Sequence, residues 1–169
     1  MSNLPLINDL LNNSFKYDEN HLYEEQTNML INLDKKGCIS FIFQFDKQLG
    51  KDYKGGIFPF FNTQKQGLCK VCDYLIFSEI NKKLFALIIE LKLGKQSTSA
   101  QLNAGECFID FIKVTSQRVY KKKIDINVRK ISIREFERKR KTKIRDIEYD
   151  ENNHHFFDQD KFVIRSFLK

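Results

Sequence analysis

Residues 71–94 read VCDYLIFSEINKKLFALIIELKLG, and three ionisable side chains stand inside this apolar stretch: Asp73, Glu90 and Lys92. Charges seldom sit within strand-like apolar runs unless something compensates them. Two strands are expected, over 68–77 and 84–93, joined by a connection of hairpin length. Side chains alternate across a strand, so Asp73 shares a face with Leu75 and Phe77, and Glu90 shares one with Lys92. A hairpin centred between Asn81 and Lys82 pairs Ile80 with Lys83 and, further along the ladder, Asp73 with Glu90. Like charges so opposed repel. A slip of one residue would send one carboxylate to the other face, so the chemistry depends on this register.

A divalent cation is the simplest reason to hold two carboxylates side by side with a lysine one step further. Mg²⁺ takes oxygen ligands, usually two carboxylates with waters and a substrate phosphate. Bound metal lowers the pKa of its water and stabilises charge developing on a phosphoryl group. Lys92 would orient or help to deprotonate the attacking water and offset phosphate charge. The competing account is a surface hairpin with a polar face. The apolar character of both strands argues against it, because it implies cover on both faces of the sheet.

The elements that must position these residues follow from periodicity. Leu22, Gln26, Met29, Leu30 and Leu33 recur at helical spacing before Gly37, so 20–36 is expected to be an amphipathic helix. Residues 38–45 (CISFIFQF) read as a strand, 51–56 as a polar loop and 57–61 as a short strand. Ser97 or Ser99 is expected to cap a helix to about Val114 with Ala104, Phe108, Phe111 and Ile112 on its apolar face. Alternation over 125–136 gives another strand, and 162–168 a last one. The acidic patch 146–160 is expected to be an exposed loop. The fold class is therefore α/β, a mixed central sheet flanked by helices.

Taken together, Asp73, the 16 residues across a hairpin, and Glu90-Leu91-Lys92 resemble the PD-(D/E)xK nuclease superfamily. The helix before, the helix after and the following strand are similar to its restriction-endonuclease-like αβββαβ core, over roughly 20–136. The resemblance implies that Asp73 and Glu90 are metal ligands, that the Leu91 carbonyl is a third, and that Lys92 is catalytic. Some members add a glutamine at the start of the next helix, where Gln101 stands. Others add a glutamate from the first helix; Glu24 and Glu25 both match, and Glu25 is preferred. Cys72 occupies the position that gives the family its proline. The implied activity is Mg²⁺-dependent hydrolysis of nucleic-acid phosphodiesters, with Mn²⁺ able to substitute and DNA the favoured substrate. Similar minimal nucleases serve as effectors in restriction or antiphage systems. Two other readings stay open at this point: a homodimeric Holliday-junction-resolvase-like enzyme, and a nucleic-acid-binding module with a vestigial site.

Charge supports a polyanionic partner. The chain has 169 residues and a net charge of +7, but residues 113–145 alone hold 14 basic and 3 acidic residues. Lys121, Lys122 and Lys123, with Arg138, Lys139, Arg140, Lys141 and Lys143, are the candidate phosphate contacts. A solubilising surface is the competing use of such a segment. Hydrophobic content of 41% with 30% charged residues fits a globular chain. A single unit spanning 1–169 is expected, with a C-terminal tail over 146–169. No apolar run approaches a membrane span, and the first residues lack a basic then apolar leader, so a cytoplasmic protein is expected. Cys69 and Cys72 form a C-x-x-C without a second ligand pair, and all four cysteines are read as reduced core residues. His21, His154 and His155 are expected at the surface, as are Glu106 and Asp110 on the second helix. Phe58, Phe60 and Phe61 are the phenylalanines weighed for base stacking. A free nuclease would harm its cell, so a restraining regulatory partner is expected.

Overall fold

A computed structural model describes residues 2–47, 62, 64–94, 96–134 and 146–169. The loop and strand expected over 51–61 lie outside these residues, as do Phe58, Phe60, Phe61 and the basic residues Arg138, Lys139, Arg140, Lys141 and Lys143. The elements run α1 (Leu4–Leu10), β1 (His21–Glu24), β2 (Met29–Asp34), β3 (Ile39–Gln44), β4 (Tyr74–Ile80), β5 (Lys83–Lys92), α2 (Ser99–Tyr120), β6 (Asn127–Arg134), β7 (His154–Phe157) and β8 (Lys161–Val163). The class is α/β with mixed sheets. Among the described residues no helix is long and apolar enough to cross a membrane.

The main sheet has the order β3-β4-β5-β6-β7. β3, β4 and β5 are antiparallel, while β6 and β7 run parallel to β5. Strand β5 is buried along almost its whole length, with Phe85, Leu87, Ile89 and Leu91 facing one core and Leu84, Ala86 and Ile88 the other. The first core is closed by a small sheet, β1-β2-β8, and by the C-terminal residues Phe162, Ile164 and Phe167. The second is closed by α1 and α2 through Leu4, Ile7, Leu102, Ile109 and Ile112. Gly105 lets α2 lie close on β5: a Cβ there would stand 2.5 Å from Ile88 Cγ2.

The β4–β5 register is the expected one. Ile80 pairs with Lys83, and the ladder continues to Tyr74 opposite Ile89. The turn residues Asn81 and Lys82 have φ of 50° and 63°, the two left-handed positions of a two-residue hairpin turn.

Several expected elements differ. Residues 20–36 form the β1–β2 hairpin, not a helix. The buried residues there are Leu22, Met29 and Ile31, and Leu30 is half-exposed, so β2 alternates with period two. Asn28 at φ 52° makes the turn. The leucines at helical spacing coincided with this alternation at Leu22 and Met29. Helix α2 runs to Tyr120 with Thr98 at its N-cap position, and its buried face is Leu102, Gly105, Ile109, Ile112 and Ser116, leaving Phe111 63% exposed. The acidic patch carries β7, which adds to the sheet edge through Phe157, and the last segment is β8 followed by a 3₁₀ turn, Ile164–Phe167. Of the cysteines only Cys72 is buried; Cys69 and Cys107 are exposed.

Lys82 holds a left-handed backbone with a side chain that disfavours it. We expect Lys82→Gly to stabilise the protein by about 0.5–1 kcal/mol, read as a higher urea midpoint at unchanged slope.

Candidate metal centre

The site lies where β3 and β5 end and β4 begins. One ladder step beyond Tyr74–Ile89 brings Asp73 opposite Glu90, on the sheet face that α2 covers. Asp73 is 8% and Glu90 4% exposed, so the flanking apolar ladder has carried both carboxylates out of water. The Leu91 N–H donates to Asp73 Oδ2 at 2.5 Å, which ties the backbone of the ELK segment to the first acid. Glu90 Oε2 is buried with no hydrogen-bond partner.

Two further carboxylates join them. The Phe45 N–H donates to the Asp73 carbonyl at 2.8 Å, which continues the β3–β4 pairing and sets Asp46 beside Asp73. Glu24 ends β1, and β1 is held to β4 by Tyr74. The Tyr74 hydroxyl donates to the Tyr23 carbonyl at 2.8 Å and accepts from the Tyr23 N–H at 3.1 Å. One oxygen each from Glu24, Asp46 and Asp73 lies within 4.8 Å of the others.

The structure therefore brings Asp73, Glu90 and Leu91 together, with Lys92 half-buried beside them. Of the two glutamates weighed, Glu24 joins the cluster, while Glu25 is exposed in the β1–β2 turn. Gln101 lies in the first turn of α2 and is half-buried. Lys121, Lys122 and Lys123 are exposed beyond the far end of α2, roughly 30 Å along a 22-residue helix from its start. Asp46 was not among the sequence candidates. It is a lone acid after a strand, and only the β3–β4 register, which depends on residues far apart in the chain, assigns it.

Burial dominates the electrostatics. It pushes the Asp73 carboxyl up to about 7, with Asp46 and Glu24 adding to the rise; the Leu91 N–H and Lys92 oppose it. Burial and then the charge of Asp73 push Glu90 up to about 8, against the pull of Lys92. Asp46 is raised by burial and by Glu24. Cys72 is pushed well above the usual thiol range by burial and by both acids, so it is an inert thiol. Glu24, Asp73 and the exposed Asp46 form a set of hard oxygen donors, and Glu90 lies across the ladder from Asp73 outside that 4.8 Å group. The orphaned Glu90 oxygen fits an oxygen-seeking divalent cation, because an unpartnered buried acceptor is costly.

Beside this cluster a polar strip crosses β6 and β7. Ser132 stands opposite Glu90 in the ladder and Arg134 opposite Lys92. Ser132 Oγ lies 2.5 Å from Thr98 Oγ1 and 2.7 Å from His154 Nε2. Thr98 thus spends its hydroxyl on the sheet and makes no side-chain cap to α2. His154 is accordingly inside the strip, and burial lowers its pKa. Asp150 Oδ2 is 3.8 Å from His154 Nδ1, so Ser132, His154 and Asp150 fall in the order of a hydrolase triad. Ser132 is fully buried, however, and its oxygen is already shared with Thr98, which leaves no route for a substrate carbonyl. Glu106 is not idle on the solvated face: it pairs with buried Lys130 at 2.6 Å, and Lys130 also donates to Asn103 at 3.0 Å.

A folded carboxyl with a raised pKa keeps a proton that the unfolded chain releases. Stability without metal should therefore fall as pH rises from about 4 through about 8. Glu90→Gln removes one of the charges, and we expect it to be more stable than wild type at pH 8.5 in EDTA, by roughly 2 kcal/mol, and nearly equal at pH 4.5. Thermal melts across pH would show this; a wild type whose stability rises over the same interval would contradict it.

Comparison with family models, with curated proteins and with solved structures finds no match for this chain, so the functional reading stands on its residues and geometry.

Proposed function

We propose that the chain is a metal-dependent nuclease that hydrolyses phosphodiester bonds in DNA, with a centre similar to that of the PD-(D/E)xK superfamily. One observation carries the reading. Asp73 and Glu90 are opposed and buried on one sheet face, with Lys92 two residues on, and half-buried Glu24 and exposed Asp46 each bring an oxygen within 4.8 Å of Asp73. A stable fold has little reason to keep such a charge concentration in a low-dielectric place unless a cation is bound there. Asp73, Glu90, Glu24 and Asp46 would hold Mg²⁺ or Mn²⁺, which when bound supplies an acidified water and charge stabilisation at the phosphate.

The chain's own residues then have definite tasks. Asp73 and Glu90 present oxygens from a rigid ladder and not from loops, which limits the reorganisation needed at the reacting phosphate. Lys92 shares the sheet face of Glu90, where its ammonium can contact a phosphate oxygen and hold a water for proton transfer. Tyr74 holds β1, and with it Glu24, against the start of β4. The mixed α/β architecture, with a three-strand antiparallel unit, a helix and a parallel strand in sequence, supports the likeness to the restriction-endonuclease core. The helix expected to open that core at 20–36 is replaced by a hairpin, so Glu24 reaches the centre from a strand.

The test is cleavage of supercoiled, linear, single-stranded and four-way-junction DNA, and of RNA, with Mg²⁺, Mn²⁺ or EDTA. Wild type should cut DNA only with metal. Asp73→Asn and Lys92→Ala should each lose at least ~100-fold in rate. Metal-independent cutting, or variants as active as wild type, would sink the proposal.

Tyr74→Phe isolates the positioning of Glu24. It strands two backbone groups of Tyr23 and should cost about 1–3 kcal/mol of stability. It should also weaken Mn²⁺ binding by about 10-fold, as outer partners of ligands do. Calorimetric titration with Mn²⁺ reads the second effect separately from the first, and unchanged affinity would remove Tyr74 from the site.

A further inference from the structure

On the sheet face that carries Glu90 and Lys92, the next two strands present Ser132 and Arg134 from β6 and His154 and Phe156 from β7. Glu90, Ser132 and Phe156 lie in line across the ladder. Two strand spacings separate Glu90 from Phe156, about 10 Å, a distance that one or two nucleotides of an extended strand can cover. Phe156 is 53% exposed, although its neighbour Phe157 is buried in the core on the opposite face.

The ring is held, not loose. The Arg134 guanidinium stacks over it at 4.1 Å from the ring centre. His154 meets it edge-on at 4.3 Å and is itself anchored by Ser132. Among the described residues no carboxylate pairs with Arg134. A flat aromatic ring and a planar cation are thus preassembled into one stack beside the acidic centre, with about half of the Phe156 surface exposed.

We infer that Phe156 and Arg134 form a stacking platform for an unpaired nucleobase next to the phosphate engaged by Lys92. The inference rests on the nuclease reading and deepens it: the substrate is single-stranded at this point, as a free strand, a flap or a frayed end. Bases in a duplex are closed between their neighbours and offer no free face to a ring at the backbone. Stacking on aromatic rings and on arginine planes is the sequence-tolerant way to hold bases that are free. The open cleft along β7, about 1070 Å³, is also lined by Asp150 and Asp158. Those acids offset the local positive charge, so stacking and not phosphate attraction supplies the platform's share of affinity.

The probe is a 12-nucleotide single strand of DNA with 2-aminopurine scanned through its length, titrated with Ca²⁺, a hard cation for oxygen ligands, and again in EDTA, where weaker binding should keep the same ratio between wild type and Phe156→Ala. Wild type should quench 2-aminopurine on binding, at whichever interior positions the strand can place on the platform. Phe156→Ala should bind the strand about 10-fold more weakly and lose that quench, and Phe156→Trp should restore both. Phe156→Leu, which keeps apolar bulk without a π face, should behave like the alanine variant. The ratio between wild type and Phe156→Ala should be the same at low and at moderate salt. A blunt duplex of the same sequence should bind all four proteins alike. Phe156 is exposed on an edge strand, so the variants should fold, which melting curves will verify. Equal single-strand affinity in wild type and Phe156→Ala, or equal losses on strand and duplex, overturns the inference. The two readings fail separately. Phe156-dependent binding without Mn²⁺-dependent cutting removes the nuclease and leaves the platform. Cutting that ignores Phe156 does the reverse.

Discussion

The structure depends on one unfavourable contact: Asp73 against Glu90, two carboxylates opposed across a hairpin and almost fully buried. Nothing local favours it. It is imposed by the hydrophobic ladder behind it, in which Leu75, Phe77, Ala86 and Ile88 face one core and Tyr74, Ile76, Leu87 and Ile89 the other. Sliding β5 by one residue would relieve the carboxylates, but it would turn each of these side chains to the wrong face. Several buried large side chains, each worth about 1.5–3 kcal/mol, outweigh one electrostatic conflict. The site is therefore fixed by residues that never touch a ligand.

The same logic explains what could be read from the chain and what could not. The β4–β5 hairpin was legible because both strands are apolar and joined by a turn centred between Asn81 and Lys82. Asp73 and Glu90 followed from that register alone. The region 20–36 was not legible because the spacing of Leu22 and Met29 suits both a helix and a hairpin, and only the exposure of Leu30 decides between them. Asp46 and Glu24 reach the site through contacts between distant segments, Phe45 to Asp73 and Tyr23 to Tyr74. Sequence periodicity carries no information on those. Strand β7 was hidden by its acidic neighbours, since HHFF is a short apolar run inside a charged segment.

The α2-facing side of the sheet is divided. Towards the hairpin turn it is apolar, where Ala86 and Ile88 meet the helix. Towards the other end it becomes polar: Glu90, Lys92, Lys130, Ser132 and Arg134 replace aliphatic side chains. The fold tolerates this in part because the two in the middle of the strip are paired before any ligand arrives. Lys130 has Glu106 and Asn103, and Ser132 has Thr98 and His154. At its borders a Glu90 oxygen and the Arg134 Nε are buried without a partner, and among the described residues Lys92 has no ion pair. A paired polar strip is structural, whereas the members left over at its two borders are the ones available to a ligand.

Those borders also set what can approach. Glu24, Asp46, Asp73 and Glu90, all ionised, would repel a polyanion, and Lys92 and Arg134 together carry only half the opposing charge. The cationic Lys121, Lys122 and Lys123 stand too far along α2 to help at short range, beyond a Debye length of about 10 Å. Two ways remain to bring the centre near neutrality: protons on the buried acids, or a divalent cation among them. Both act on the same oxygens, so they compete. A phosphate can be drawn in by the cation and held by Lys92, but a proton brings no such attraction. On the proposed reading, occupancy by metal would turn an acidic, repulsive corner of the sheet into a place where a phosphodiester can rest, and burial raises the pKa of the very groups that would have to give up their protons.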